Sequence, residues 1–452
     1  MLAILFEILS TASMAGITGA SYYFQNKNAT NDHEKIKIIA DEAGLKTREG
    51  GIRIYRKRKH DKYTEYVYKI PLGLSFKDFE DKKHLFIDGL NNKSRPDLNL
   101  ANLKNINWKG DVLKQLQDIL NNRIKLDKQI EMEYDGMLRF KVYEEGLKKR
   151  YDLTEDILKK CKAWTVPIGV SYKEIIYHDF ESESGSHILF GGATDTGKST
   201  TLNVIINSLL YNQPDDVEFT LIDLKGGLEF GPYEHLKQVK RFATDVDSAE
   251  KVLKEAKFDM ASTFEMLRRK GKRNVKLAGI KKRHFIIIDE AAELASEGET
   301  DKEVKKKKVN CEKYIKDIAR RGRASGMKLI YSTQNPTSEV IGSQIKRNLI
   351  TRICLPVDTS TASIVVLDEG GAEKLPLIQG RAIYKRHRST TMQAFYINDD
   401  LIKKNIKSNK EGLGASGKGV TPRKTGTNSI KSETSRLSNS KTNSETPRFE
   451  IR

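Results

Sequence analysis

The segment Gly192-Ala-Thr-Asp-Thr-Gly197-Lys198-Ser199 sets two glycines, a lysine and a hydroxyl in the spacing GxxxxGK[ST]. Glycines let a loop curl until its backbone N–H groups converge on an anion, and the helix that follows presents its positive end to the same point. The chemistry is binding of a nucleoside triphosphate. Gly192, Ala193, Thr194, Asp195, Thr196, Gly197, Lys198, Ser199 and Thr200 form the cradle, with Lys198 reaching the β and γ phosphates and Ser199 ligating Mg²⁺. The bland alternative is a coincidental glycine-rich turn. Asp195 is an odd residue for a phosphate site, and its carboxylate is expected to point away.

Phe285-Ile-Ile-Ile-Asp289-Glu290 is four apolar residues ending in two acids, the pattern of a buried strand whose carboxyl end meets a ligand crevice. Asp289 would hold Mg²⁺ through water, and Glu290 would polarise the water that attacks the γ-phosphate. Either acid could instead cap the helical turn expected from residue 291. Gln334 closes another apolar run, Leu329-Ile-Tyr-Ser-Thr, where an amide could sense the γ-phosphate; by itself it reads as an ordinary strand-end glutamine.

These groups must be positioned by a sheet. Short apolar runs at 187–190, 217–222, 284–288, 328–332 and 349–355 alternate with helical stretches, as in a parallel sheet covered by helices on both faces. The cradle lies between one such run and a helix over 201–210. The expected class is therefore an α/β P-loop domain, residues 161–402. Before it, residues 27–160 read as a small α+β domain, with β-like alternation at 63–70 and 137–143 and helices at 76–90 and 112–126. Residues 8–26 carry no charge, so 1–26 is a candidate membrane anchor, just long enough at about 1.5 Å per helical residue. The basic segment after it would place the rest of the chain on the cytoplasmic side. Residues 403–452, rich in Ser, Thr, Asn and Lys, read as a disordered basic tail.

The chain has 452 residues and a net charge of +19, and 38 % of its residues are hydrophobic. That excludes a wholly disordered chain and a multi-span membrane protein. The tail accounts for a net +8, so the body stays basic and polyanions are the first partner class to consider. Residues 268–283 hold nine Lys/Arg and no acid, and 302–308 add five lysines around Glu303; with no aromatic residue interleaved, either run suits a duplex backbone better than stacked single strands. Three cysteines without metal-ligand spacing argue against disulfides and structural zinc.

Six segments in order resemble the FtsK/SpoIIIE family of ring-forming DNA-translocating ATPases. They are the stretch from His187 through the cradle, Leu221-Ile-Asp-Leu-Lys-Gly-Gly, Phe285-Ile-Ile-Ile-Asp-Glu-Ala-Ala-Glu-Leu, Ala319-Arg-Arg-Gly-Arg-Ala-Ser-Gly-Met continuing to Pro336, Ile345-Lys-Arg-Asn-Leu-Ile-Thr-Arg-Ile, and Asp368-Glu-Gly-Gly-Ala-Glu-Lys-Leu. The resemblance implies a RecA-like motor forming a hexameric ring, binding ATP and Mg²⁺ and drawing DNA through its channel. It makes Glu290 and Gln334 catalytic and Asp289 and Ser199 metal-associated. It also implies an arginine acting on the neighbouring subunit's site, with Arg320, Arg321, Arg323, Arg347 and Arg352 as candidates and Arg323 preferred.

Two departures refine this expectation. Chromosome translocases of the family end in a winged-helix module and carry several membrane spans, whereas this chain offers a single candidate span and a compact N-terminal domain. That economy looks like the coupling ATPases of Gram-positive conjugative elements, which work at the cytoplasmic face of the membrane with a relaxase and channel proteins. The competing readings are a type VII-like protein-secretion ATPase, a chromosome or plasmid segregation translocase, and a P-loop protein that uses nucleotide only to control assembly.

Overall fold

The computed structural model describes residues 31–91 and 128–410. The expected membrane anchor, the helix at 112–126 and residues 411–452 of the expected tail lie outside the described residues. Among the described residues no helix is long and apolar enough to cross a membrane.

The first part of the chain builds a four-stranded antiparallel sheet. Helix α1 (Asp32–Glu42) precedes β1 (Arg53–Lys59) and β2 (Tyr63–Lys69); α2 (Phe76–Asp81) and α3 (Lys83–Asn91) follow, and β3 (Gln129–Tyr134) and β4 (Leu138–Tyr143) complete the sheet in the order β1-β2-β4-β3. Ile36 and Ala40 of α1, Phe79 of α2 and Phe86 of α3 pack on Tyr68, Leu138, Phe140 and Val142. The single helix expected at 76–90 is two, because Lys82 leaves helical geometry and its N–H turns back to Phe79.

The second sheet has eleven strands. In chain order its elements are β5 (Tyr151–Asp152), α4 (Glu155–Lys159), β6 (Thr165–Ser171), β7 (Ile175–Asp179), β8 (Ile188–Gly191), α5 (Lys198–Asn212), β9 (Val217–Ile222), β10 (Val239–Ala243) and α6 (Val246–Arg269). There follow β11 (Arg283–Ile288), α7 (Lys302–Ser325), β12 (Met327–Thr333), α8 (Ser343–Asn348), β13 (Thr351–Cys354), α9 (Ser360–Leu367), β14 (Arg381–Lys385), β15 (Ser389–Tyr396) and α10 (Asp399–Lys410). The order β10-β9-β11-β12-β8-β13 is parallel throughout, and β14-β15-β6-β7 extend it as antiparallel strands. This is the expected α/β P-loop fold, with an antiparallel wing that apolar runs alone did not disclose.

Side chains alternate through the sheet. Ile286 and Ile288 face α6, α7 and α9, whereas Phe285 and Ile287 face α5 and the apolar side of α10, so both surfaces are covered and the strands read as continuous apolar runs. Trp164, Phe180 and Phe219 surround Phe285. Helices α6 and α7 lie side by side and parallel, with Lys307 on Asp247 and Asn310 on Glu250.

Two expected boundaries move. β5 pairs with β15, and Leu153 and Leu158 pack with Val204 of α5 and Phe395, so residues 151–160 belong with the large sheet and not with the first domain. At the other end, residues 403–410 are the last turns of α10 rather than the start of a tail. That helix is held by Ile402 and Ile406 on the sheet side and by buried Asn405 and Asn409, which bond Asn207 and Gln238.

Candidate functional site

Because β8, β9, β11, β12 and β13 are parallel, their carboxyl ends meet at one edge of the sheet. The loop 192–197 leaves β8 there and opens α5. Its path depends on two glycines. A Cβ on Gly192 would lie 2.7 Å from the Leu355 Cβ, and Gly197 sits at φ +101° with its missing Cβ 2.9 Å from the Gly380 nitrogen. The loop is pinned from outside as well: Ala193 N–H donates to the Pro356 carbonyl at 3.0 Å, and Gly380 N–H to the Thr196 carbonyl at 2.7 Å. Asp195 takes a left-handed φ of +60°, which aspartate tolerates better than most residues, and is exposed.

Lys198, the first residue of α5, is buried, and its Nζ donates to Asp289 Oδ1 at 2.9 Å and to the Asp289 carbonyl. Asp289 is fully buried, and its second carboxylate oxygen, Oδ2, has no hydrogen-bond partner among the described residues. An orphaned buried oxygen beside the cradle suits a hydrated cation, as does the half-buried Ser199 hydroxyl one residue past Lys198.

Glu290 accepts three bonds from the end of β12 and its continuation: Thr333 Oγ1 at 2.8 Å and Gln334 N–H at 3.1 and 3.0 Å to its two oxygens. It also caps the short 3₁₀ turn Ala291–Leu294 through Ala292 N–H at 3.4 Å, so the capping alternative and the catalytic one describe the same side chain. Lys225 Nζ stands 3.9 Å from Glu290 Oε2. Gln334, one residue past β12, receives a bond from Thr194 Oγ1 at 3.2 Å, which links the cradle to the strand between it and the acids.

Thr333 and Lys225 were not singled out as site residues in the sequence. Thr333 is the neighbour of Gln334 at the strand end, and Lys225 lies in the Leu221-Ile-Asp-Leu-Lys-Gly-Gly segment. That segment is shaped by Asp223, whose buried carboxylate accepts from Glu229 and Phe230 N–H, both at 2.8 Å, and so folds the loop that carries Lys225 back toward Glu290.

The arginine candidates separate cleanly. α7 runs from the cradle edge to the opposite edge, where it turns into β12; Arg323 therefore lies one strand length, about 20 Å, from Glu290 of its own chain. It is half exposed and 3.7 Å from the exposed Glu183. Arg352 is buried and bonded to Asp368 and to the Leu349 and Lys346 carbonyls. Arg320 and Arg321 both engage Asp317, and Arg321 also covers the Phe264 ring. Arg347, near the same far edge on α8, is exposed.

The two basic runs lie at opposite edges. Lysines 302–308 start α7 on the cradle side, while residues 270–282 join α6 to β11 on the far side. In the far run Arg283 is spent on structure, a bidentate pair with Glu181 and a stack on Trp164; Lys270, Lys272, Arg273, Lys276 and Lys281 are exposed with no ion pair among the described residues.

Residues 159–285, from the end of α4 into β11, match the model of the FtsK/SpoIIIE family. A DNA translocase FtsK of Streptococcus agalactiae is 31 % identical over 238 residues, 48 % of this chain and 28 % of that protein. The FtsK of Chlorobaculum tepidum is 34 % identical over 239 residues, 49 % of this chain and 28 % of that protein. The chain thus spans under a third of the length of the curated relatives it matches. Among solved structures, the pCW3 conjugation coupling protein TcpA with ATPγS aligns with a TM-score of 0.55 and 24 % identity, over 83 % of this chain and 99 % of that one. EssC ATPases 2 and 3 from Geobacillus thermodenitrificans align at 0.51 and 18 %, over 60 % of this chain and 53 % of that one. These likenesses show the P-loop ATPase fold.

Proposed function

We propose that this chain is an ATP-hydrolysing motor of the FtsK/SpoIIIE type that translocates DNA, and that it serves as a coupling ATPase in conjugative transfer. The observation that carries the reading is the convergence of Lys198, Asp289, Glu290 and Gln334 at one sheet edge around a glycine-shaped loop. A nucleotide-binding module that only controls assembly has no use for a carboxylate beside the γ-phosphate position, held by the strand that also carries Gln334.

In this reading the N–H groups of 194–198 and the α5 terminus hold the phosphates of ATP, and Lys198 neutralises their charge. Mg²⁺, held by Ser199 and through water by Asp289, would supply charge neutralisation on the β and γ oxygens. Glu290 orients and deprotonates the attacking water, with its carboxylate fixed by Thr333 and Gln334; Gln334 reports the state of the γ-phosphate to the cradle through Thr194. Arg323, a strand length away from its own site, completes the site of a neighbouring subunit, which calls for a ring, expected to be hexameric.

DNA as the substrate is supported by the domain's family, by its FtsK relatives and by the unpaired cations of 270–281. Conjugation is supported by the fold likeness running through 99 % of a coupling protein, and it brings with it a relaxase and a membrane channel as partners at the cytoplasmic face of a membrane. The test is steady-state ATPase of the full chain with and without linear duplex DNA at two salt concentrations. Stimulation that is lost at high salt is the expected result; an assembled sample that DNA does not stimulate points instead to a protein substrate, as in the secretion ATPases.

A further inference from the structure

The four-stranded sheet of the first domain has a bare basic edge. β1 is its outer strand, bonded to β2 on one side, and all seven of its residues, Arg53 to Lys59, are exposed. Five of the seven are Arg or Lys and none is acidic. Tyr55, 74 % exposed, stands among them.

The register spreads these charges over both sides of the edge. Lys57 and Lys59 oppose Tyr66 and Thr64, and Tyr66 belongs to the helix-covered face; Arg53, Arg56 and Arg58 oppose Lys69, Val67 and Glu65 on the other face. Between Ile54 and Arg56 the register shifts, which leaves Tyr55 at a bulge with no partner on β2. Among the described residues Arg56 alone of the five cations is in an ion pair, with Glu65 at 3.1 Å.

What β1 faces is decided by where the chain enters the domain. Lys57 Nζ donates to Asn31 Oδ1 at 3.3 Å, so the middle of β1 touches the residue that precedes α1. Asn31 stands five residues past the uncharged stretch 8–26, a reach of at most about 18 Å fully extended. β1 itself is about 23 Å long, so a bilayer holding that stretch lies within one strand length of the basic edge.

We propose that β1 is a membrane-docking edge, lying against the anionic phospholipid headgroups of the bilayer that residues 8–26 enter, with its cations on the phosphates and Tyr55 at the lipid–water boundary. The proposal rests on the reading of residues 1–26 as a membrane anchor and adds the protein surface that meets the lipid. Cations fanned from both faces of an edge engage a plane together, and tyrosine suits its interface. A charged edge also deters pairing with another strand, but that role gives no place to a bare tyrosine. Duplex phosphates share the charge chemistry; the short tether to the uncharged stretch is what favours lipid.

The experiment is flotation of the full chain with vesicles of phosphatidylcholine alone or with about one third phosphatidylglycerol, with hydrogen exchange of residues 53–59 read on the same samples. Binding to neutral vesicles reports the anchor, and the excess on anionic vesicles reports the edge. The parent is expected to bind both, with a large anionic excess and with exchange at 53–59 slowed on anionic vesicles only. Combining Arg53→Gln, Arg58→Gln and Lys59→Gln leaves the Arg56–Glu65 and Lys57–Asn31 contacts in place. That variant is expected to lose about 100-fold of the excess, about fivefold per charge, and to keep the neutral binding. Neutral binding with no anionic excess overturns the docking edge and leaves the anchor standing; binding to neither vesicle removes both. An anionic excess that the triple variant retains, or that leaves exchange at 53–59 unchanged, belongs to other basic residues and overturns the proposal. A triple variant that loses duplex DNA affinity and keeps its lipid excess makes β1 a nucleic-acid contact instead.

Discussion

Lys198 Nζ and Asp289 Oδ1 stand 2.9 Å apart with both side chains buried, and the other Asp289 oxygen has no hydrogen-bond partner among the described residues. The pair joins the start of α5 to the residue after β11; β8, the strand that leads into α5, is separated from β11 in the sheet by β12. The charge of Lys198 is balanced in this structure by Asp289, the acid proposed to hold Mg²⁺ through water.

Breaking that pair from one side leaves a buried charge unpaired, at a cost of roughly 3–5 kcal/mol. Lys198→Ala is therefore expected to lower the melting temperature without nucleotide as well as to abolish ATP binding, and Lys198→Met with Asp289→Leu should recover most of the stability. Thermal unfolding of the two singles and the double checks it; equal melting temperatures for Lys198→Ala and the parent would show the pair to be energetically idle.

Glu290→Gln keeps the shape and the Thr333 hydroxyl bond but removes the charge. ATP affinity should stay within a few-fold of the parent while turnover falls by at least about 100-fold. Single-turnover hydrolysis measured beside equilibrium binding separates the two effects, and normal turnover would remove Glu290 from the role of base.

Arg323 lies too far from its own Glu290 to act there. Arg323→Ala and Glu290→Gln should each be inactive alone, and mixed subunits should regain part of the ATPase because some interfaces then hold an intact arginine facing an intact glutamate. Absence of recovery at every mixing ratio, with mixed assemblies verified, would transfer the role to the exposed Arg347.

The far-edge cations carry a salt prediction. Replacing Lys270, Lys272, Arg273 and Lys276 by glutamine should weaken duplex binding without regard to sequence and reduce the slope of log affinity against log salt by about 3 to 4. An unchanged slope in fluorescence anisotropy would place the DNA elsewhere on the domain.

Three buried histidines give the fold a pH dependence. Burial pushes His178 and His187 down to about 3 and His284 to about 4, from an ordinary value near 6.5. Each stays neutral in the folded chain, while the unfolded chain takes up protons below about pH 6.5. Their contribution is complete above 6.5 and is lost as the pH falls toward 4 and 3, by roughly 1 kcal/mol per pH unit for each. His284→Gln, which keeps a partner for Thr220, should flatten the fall in melting temperature between pH 6.5 and 4.5; an unaltered slope would mean that His284 already titrates normally.

The sequence by itself determined the parallel core and the cradle. A phosphate loop is one contiguous stretch whose glycines are demanded by local backbone geometry, and strands buried on both faces are apolar along most of their length, so β8, β9, β11 and β12 were readable as short apolar runs. The antiparallel wing was not: β14, β15 and β6 mix polar and apolar residues because part of each lies near an edge or a site. Nor was α10, whose lysines and asparagines look like a solvated tail until Asn405 and Asn409 find partners on α5 and before β10. The pairing of Glu290 with Thr333 and the exclusion of Arg352 from the neighbouring site were decided only by tertiary structure. Each depends on which strand lies beside which and on the edge to which a helix returns, and these are relations between distant residues that no local pattern encodes.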